Sequence, residues 1–200
     1  MSRKEAGPDG QKMKVWTCQP REVLDALIGK GTYRTDPRKA GLERQFVRAY
    51  DWMVEEMEKR IGERPDGVTY PIWAFAVCEG KRRPPDLDGF AAPGTRMVLM
   101  ELEIPEKDLV LSDFDTWHYV LNDWYYIRCQ NKEEWDRQDK EFDALPPQVQ
   151  RQKKTASWQA VFDTELRDNG EYDINGFQVQ ATFWELKREY LVAAVPFTAP

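Results

Sequence analysis

The sequence predicts an α+β fold: a single domain whose central sheet, mostly antiparallel or mixed, is flanked by helices. Three observations lead there. Segments alternating with period two are interspersed with segments whose apolar residues recur every three or four positions. The two kinds do not follow the regular strand–helix–strand order of a parallel sheet. At 200 residues the chain has the usual size of one domain, long enough to bury about two-thirds of its unfolded surface without a metal or disulfide staple.

The elements follow in order. Residues 1–12 are polar, contain Gly7-Pro8-Asp9-Gly10, and are expected to form a disordered lead to a domain spanning 13–200. Met13 to Gln19 is a strand candidate. Pro20 suits the first position of a helix, where a missing N–H costs nothing. Val23, Leu24, Leu27 and Ile28 form that helix's apolar stripe, which Gly29 or Gly31 can end. The clearest helix is Leu42 to Ile61, with Phe46, Tyr50, Met53, Met57 and Ile61 on one side and Arg44, Arg48, Asp51, Glu55 and Glu58 on the other.

After a turn at Pro65-Asp66-Gly67, Tyr70 to Cys78 is apolar on both faces, as a central strand is. Residues 79–95 are rich in proline and glycine and are expected to form an irregular connection or lid. Arg96 to Ile104 alternates, and Leu109 to Leu111 adds a short strand. Ser112-Asp113-Phe114-Asp115 resembles a capped helix start for Trp117 to Asn122. A charged helix is expected over Asn131 to Ala144, broken by Pro146-Pro147 and resumed over Gln148 to Phe162. Two strands, joined near Lys187-Arg188, complete the chain within Phe177 to Phe197. In the first of them Gln178, Gln180 and Thr182 share one face and Val179, Ala181 and Phe183 the other.

A net charge of −6 argues against non-specific nucleic-acid binding, whose affinity comes from clustered Lys and Arg. The basic runs Lys81-Arg82-Arg83 and Arg151-Gln152-Lys153-Lys154 read as solvated faces. No apolar run approaches the ~18 residues of a membrane span. Cys18, Cys78 and Cys129 are odd in number and far apart, which suits free thiols in a reducing cytoplasm.

Exclusion narrows the chemistry. One histidine, His118, is too few for a two-histidine zinc helix, and no metal site is expected. There is no Walker-type phosphate loop and no Gly-x-Ser-x-Gly elbow. Gly29-Lys30-Gly31 follows a helix and lacks the third glycine of a dinucleotide fingerprint. His118 can serve as a general base oriented by Asp113 or Asp115, the latter three residues away on a helix. The competing reading is a histidine packed beside Trp117, with the aspartates as helix caps.

Eight tryptophans stand in the chain. Trp16, Trp52, Trp73, Trp117, Trp124 and Trp184, with Tyr125-Tyr126, can line a pocket that stacks a base or nicotinamide ring, although most are expected in the core. Trp52 lies at the edge between the faces of its helix, beside Asp51. Gln180 stands on the polar face of a strand packed on its other side.

The motifs Val15-Trp16-Thr17-x-Gln19, Ala49-Tyr50-Asp51-Trp52-Met53, Tyr70-Pro71-Ile72-Trp73-Ala74, Ser112-Asp113-Phe114-Asp115-x-Trp117-His118, Ser157-Trp158-x-x-Val161-Phe162-Asp163 and Gln180-Ala181-Thr182-Phe183-Trp184 together resemble the bacterial domain-of-unknown-function 3841 family over Met13 to Phe197. That likeness names relatives and implies no reaction. Val15-Trp16-Thr17 followed by Gly31-Thr32-Tyr33 also resembles the opening of ADP-ribosyltransferase-like folds, and Gln180-Ala181-Thr182-Phe183-Trp184 their closing strands. The resemblance implies NAD as a substrate. The sequence departs from that pattern with Thr17 in place of a histidine and no glutamate after Gln180 until Glu185.

Two expectations follow. In an enzyme, His118, Asp115 and Gln180 are the catalytic candidates. Thr17, Gln19, Tyr33, Tyr50, Asp51 and Trp52 hold NAD or another nucleotide-like molecule, all in one cleft. In a binding module, the tryptophans form a core and a groove for a protein partner, with Asn131 to Ala144 at its edge.

Overall fold

In a computed structural model, residues 10–35, 42–164 and 177–200 are described. Most of the expected N-terminal lead, residues 1–9, lies outside them. Strand β1 (Lys12–Pro20) runs directly into helix α1 (Arg21–Lys30). Pro20 is the residue before the helix, one place earlier than expected, with the extended backbone of a cap. Gly31 ends α1 at φ 80°, and its N–H bonds the carbonyl of Leu27 at 2.8 Å.

The next helix starts later than its apolar period suggests. Leu42 and Glu43 are not helical, Arg44–Phe46 form a 3₁₀ turn, and α2 spans Val47–Ile61. No side chain caps this end, so the N–H groups of a longer α-helix would gain no local partner. Short β2 (Thr32–Tyr33) precedes it; β3 (Ile72–Val77), β4 (Arg96–Pro105) and β5 (Val110–Asp113) follow.

Helix α3 (Phe114–Leu121) is capped as expected: the Thr116 N–H donates to the Asp113 carboxylate at 2.7 Å. Helix α4 (Lys132–Asp143) is capped by Asn131, whose side chain accepts from Glu134 N–H. The segment expected as one helix from Gln148 to Phe162 is two pieces, α5 (Pro147–Ser157) and a 3₁₀ turn (Trp158–Phe162). The tighter turn puts both Trp158 and Val161 into the core. The C-terminal region holds three strands where two were expected: β6 (Val179–Phe183), β7 (Leu186–Lys187) and β8 (Leu191–Thr198).

Six strands form one sheet in the order β5-β6-β3-β1-β4-β8, and each recorded pairing is antiparallel. The small β2–β7 ladder stands apart from it. Strand β3 is central, as its apolar character on both faces implies. On one face, Val15, Ala74, Val98, Met100, Leu102 and Phe183 pack against Val23, Leu24 and Leu27 of α1. Trp73 and Val110 belong to a second cluster with Met53 and Met57 of α2, Trp117 of α3, and Trp158. Each fully buried side chain of this size contributes about 1.5–3 kcal/mol.

The second cluster holds most of the tryptophans: Trp52, Trp73, Trp117, Trp158 and Trp184. Trp16, Trp52, Trp117, Trp158 and Trp184 are buried, while Trp124 and Trp135 are 57 % and 42 % exposed. Among the described residues no helix is long and apolar enough to cross a membrane.

Candidate functional site

A cavity of about 860 Å³ opens where β1 hands over to α1 and β3 begins. Its size is within the range of about 300–1,000 Å³ usual for small-molecule sites. Five elements build it. Glu22, Val23, Ala26 and Lys30, spaced by helical turns, provide one wall from α1; β1 contributes Gln19 at its end. Thr32 and Tyr33 come from β2, held in place by pairing with Lys187 and Leu186. Tyr50 comes from α2, and Tyr70, Ile72 and Trp73 from the entry of β3.

The aromatic side is a connected array. The Tyr50 ring meets Tyr70, Trp73 and Trp117 edge-on, at centroid distances of 5.6, 5.8 and 5.9 Å. Tyr70 donates its hydroxyl to the Asp51 carboxylate at 3.3 Å. Burial, with the Asp51 charge next, raises the Tyr70 phenol above its ordinary range, and burial alone does the same to Tyr50. Both are neutral near pH 7, suited to donating hydrogen bonds and stacking.

The polar side is ordered by a relay. Gln19 Nε2 donates to Thr17 Oγ1 at 2.8 Å, and Thr17 donates onward to the carbonyl of Trp73, also at 2.8 Å. Thr17 is buried behind the wall and positions Gln19 without lining the cavity. Two cations stand at the rim, Lys30 and Arg34. Arg34 is oriented by Glu185 and by the backbone carbonyl of Asp66, each at 2.6 Å.

The nine expected site residues therefore do not share one cavity. Gln19, Tyr33 and Tyr50 line it; Thr17 is buried behind it, bonded to Gln19 and the Trp73 carbonyl, and exposed Asp51 lies outside it, bonded to the lining residue Tyr70. Trp52 is elsewhere, buried against Trp158 and stacked on Phe162 at 5.7 Å, and with Asp51 it borders a shallower hollow. Its place at the edge of the α2 stripe disguised a core residue, because the 3₁₀ turn covers that edge.

His118, Asp115 and Gln180 are not among the residues lining the cavity. The expectation that an aspartate orients His118 is corrected: its Nδ1 lies 2.9 Å from the carbonyl of Phe114, one helical turn earlier, and its ring is edge-on to Phe114. Asp113 is spent on the α3 cap. Burial first, then the neighbouring Asp113 charge, raises the Asp115 carboxyl above the usual range, with His118 opposing.

Gln180 does not project into a cleft. It is 8 % exposed, opposite Ser112 in β5 and Phe75 in β3, on the face whose Trp73 and Val110 pack with residues of α2 and α3. The Gln180 Oε1 and Ser112 Oγ atoms have no hydrogen-bond partner. Among the described residues no cluster of three or more His, Cys, Asp or Glu side chains could hold a metal ion.

Sequence reasoning missed Lys30, Arg34 and Tyr70 as lining residues. The signal available was local: Lys30 and Arg34 flank the Gly31-Thr32-Tyr33 motif, and Tyr70 opens the Tyr-Pro-Ile-Trp motif.

The chain has no match among curated proteins or solved structures. A family model described as Domain of unknown function (DUF3841) matches residues 14–192, which run from β1 into β8 and include every residue lining the cavity. With nearly its whole length matched, from the first strand of the sheet to the last, the chain belongs to that family.

Proposed function

We propose that this chain binds NAD or another nucleotide in the aromatic-lined cleft at the junction of β1, α1 and β3. The carrying observation is the combination, around one cavity, of stacking surfaces (Tyr33, Tyr50, Tyr70, Trp73), an ordered amide (Gln19) and two cations (Lys30, Arg34). A planar base or nicotinamide ring gains about 1–3 kcal/mol from stacking on an aromatic side chain. Phosphate oxygens gain charge-assisted bonds from the rim. Lys30 sits in the last turn of α1, where its charge also answers the negative end of the helix dipole. The free thiols at Cys18 and Cys78 agree with action in a reducing cytoplasm.

Titration with NAD, ADP and ATP, followed by tryptophan fluorescence, tests this reading, because Trp73 is part of the wall. Saturable quenching that disappears in Trp73→Phe, with affinity about tenfold or more weaker in Tyr33→Ala, is the expected result. No response to any nucleotide refutes it.

A second reading, a protein-binding module, rests on Trp124 and Trp135, exposed by 57 % and 42 %, and on α4, which buries none of its residues. Exposed tryptophans are enriched at interfaces. A protein partner captured by the wild type and lost by the Trp124→Ser, Trp135→Ser double variant favours this reading.

A further inference from the structure

The relay behind the cleft determines which way the Gln19 amide faces, and with it the chemistry that the cleft accepts. Thr17 is 1 % exposed, and its hydroxyl has a single hydrogen. That hydrogen is committed to the Trp73 carbonyl, 2.8 Å away. Towards Gln19, Thr17 Oγ1 can therefore only accept, so the Gln19 group 2.8 Å from it is the NH₂ and not the oxygen. The carboxamide oxygen is turned away from Thr17, and Gln19 lines the cavity.

We infer that Gln19 presents its carboxamide oxygen to the ligand as an acceptor, so that the cleft selects a planar ring bearing a primary amino or carboxamide NH₂. This rests on the reading of the cleft as a nucleotide site and deepens it. An acceptor on the ligand at that point would face another acceptor. The amide cannot flip to relieve it, because flipping would set its oxygen against Thr17, which has no hydrogen left to offer. A site built to bond an N–H rejects analogues that lack one far more strongly than an apolar pocket rejects a missing methylene.

Two sources carry this NH₂, the carboxamide of nicotinamide and the 6-amino group of adenine, and paired probes separate them. NAD is compared with its nicotinic acid analogue, and ADP with its 6-deamino purine analogue, by fluorescence titration and calorimetry. In the wild type, the NH₂-bearing member of one pair is expected to bind at least about tenfold more tightly; the pair that discriminates identifies the ring. The preference should persist in Thr17→Ser, which keeps the hydroxyl. It should collapse towards equality in Thr17→Val, which is near-isosteric and frees the amide to flip. Gln19→Met, a half-exposed position where folding is not at stake, should abolish it independently.

Equal affinity within both pairs in the wild type overturns the inference while leaving nucleotide binding intact. So does discrimination that survives Gln19→Met. Absence of binding by all four probes overturns the reading of the cleft and this inference together.

Discussion

Glu56 sits on α2 about one and two-thirds turns beyond Tyr50, with its side chain only 6 % exposed. It accepts from Lys59 Nζ at 2.8 Å and from Arg60 at 3.3 Å. Arg60 in turn bonds Gln159 at 2.9 Å and lies over the Phe162 ring at 3.7 Å. The carboxylate thus helps clamp α2 to the 3₁₀ turn that buries Trp158. Burial by itself would raise its pKa, but hydrogen bonds from Lys59 and Gln159 and the charges of Lys59 and Arg60 outweigh burial and hold it below the usual range.

Glu56→Gln keeps the shape, removes the charge and sets an amide NH₂ among donors. Loss of a hydrogen bond to a charged group, with its partners left incompletely satisfied, costs about 1–3 kcal/mol. For a domain of this size Tm falls by about 2–4 °C per kcal/mol. The sign of the pH dependence is set by the lowered pKa: the stabilisation is complete above the ordinary glutamate range and is lost as pH falls through the lower folded value. Urea unfolding of wild type and variant at pH 7, 5, 4 and 3 measures this. The gap should be nearly the same at pH 7 and pH 5 and narrow only below that, at the acid end. A gap below about 0.3 kcal/mol at pH 7, or one unchanged at pH 3, refutes the clamp.

Gly31→Ala places a side chain at φ 80°, although nothing stands within 4 Å of the added carbon, so the cost of about 1 kcal/mol is backbone strain alone and should appear as a lower urea midpoint with an unchanged slope. Trp158→Ala removes a ring that is 1 % exposed and whose indole N–H bonds the Trp124 carbonyl at 2.8 Å; denaturant unfolding should show a loss of about 3–5 kcal/mol, and a loss under 1 kcal/mol would mean that the second core does not depend on it. Burial pushes the thiols of Cys18 and Cys78 up to about 11, so roughly a thousandth of each is thiolate at pH 8, and both should react with a disulfide reagent far more slowly in the native chain than in urea.

How much was legible depended on how local the cause was. Asp113 as a cap was readable because it needs only Thr116, three residues on. The alternation of Val98, Met100, Leu102 and Ile104 was readable because a strand's period is two, and all four are fully buried. The same period misled at Gln180. It told correctly that Gln178, Gln180 and Thr182 share a face, but that face also carries Trp73 and Val110, which pack with Trp117 of α3 and Trp158 of the 3₁₀ turn, contributed from elsewhere in the chain. Trp52 misled for the same reason, since its position on the α2 wheel cannot reveal a partner one hundred residues away.

The sequence by itself determined the α+β class, nearly every element, and the short motifs in which Thr17, Gln19, Tyr33 and Tyr50 stand, because each depends on neighbours within about one turn or two strand positions. Tertiary structure alone decided the order β5-β6-β3-β1-β4-β8, and with it which motifs meet. Pairing β1 against β3 sets Thr17 against the Trp73 carbonyl, and pairing β2 with β7 swings Tyr33 and Arg34 across from α1. The cleft exists because backbone ladders join segments far apart in sequence, and register between distant strands leaves no periodic trace in either of them.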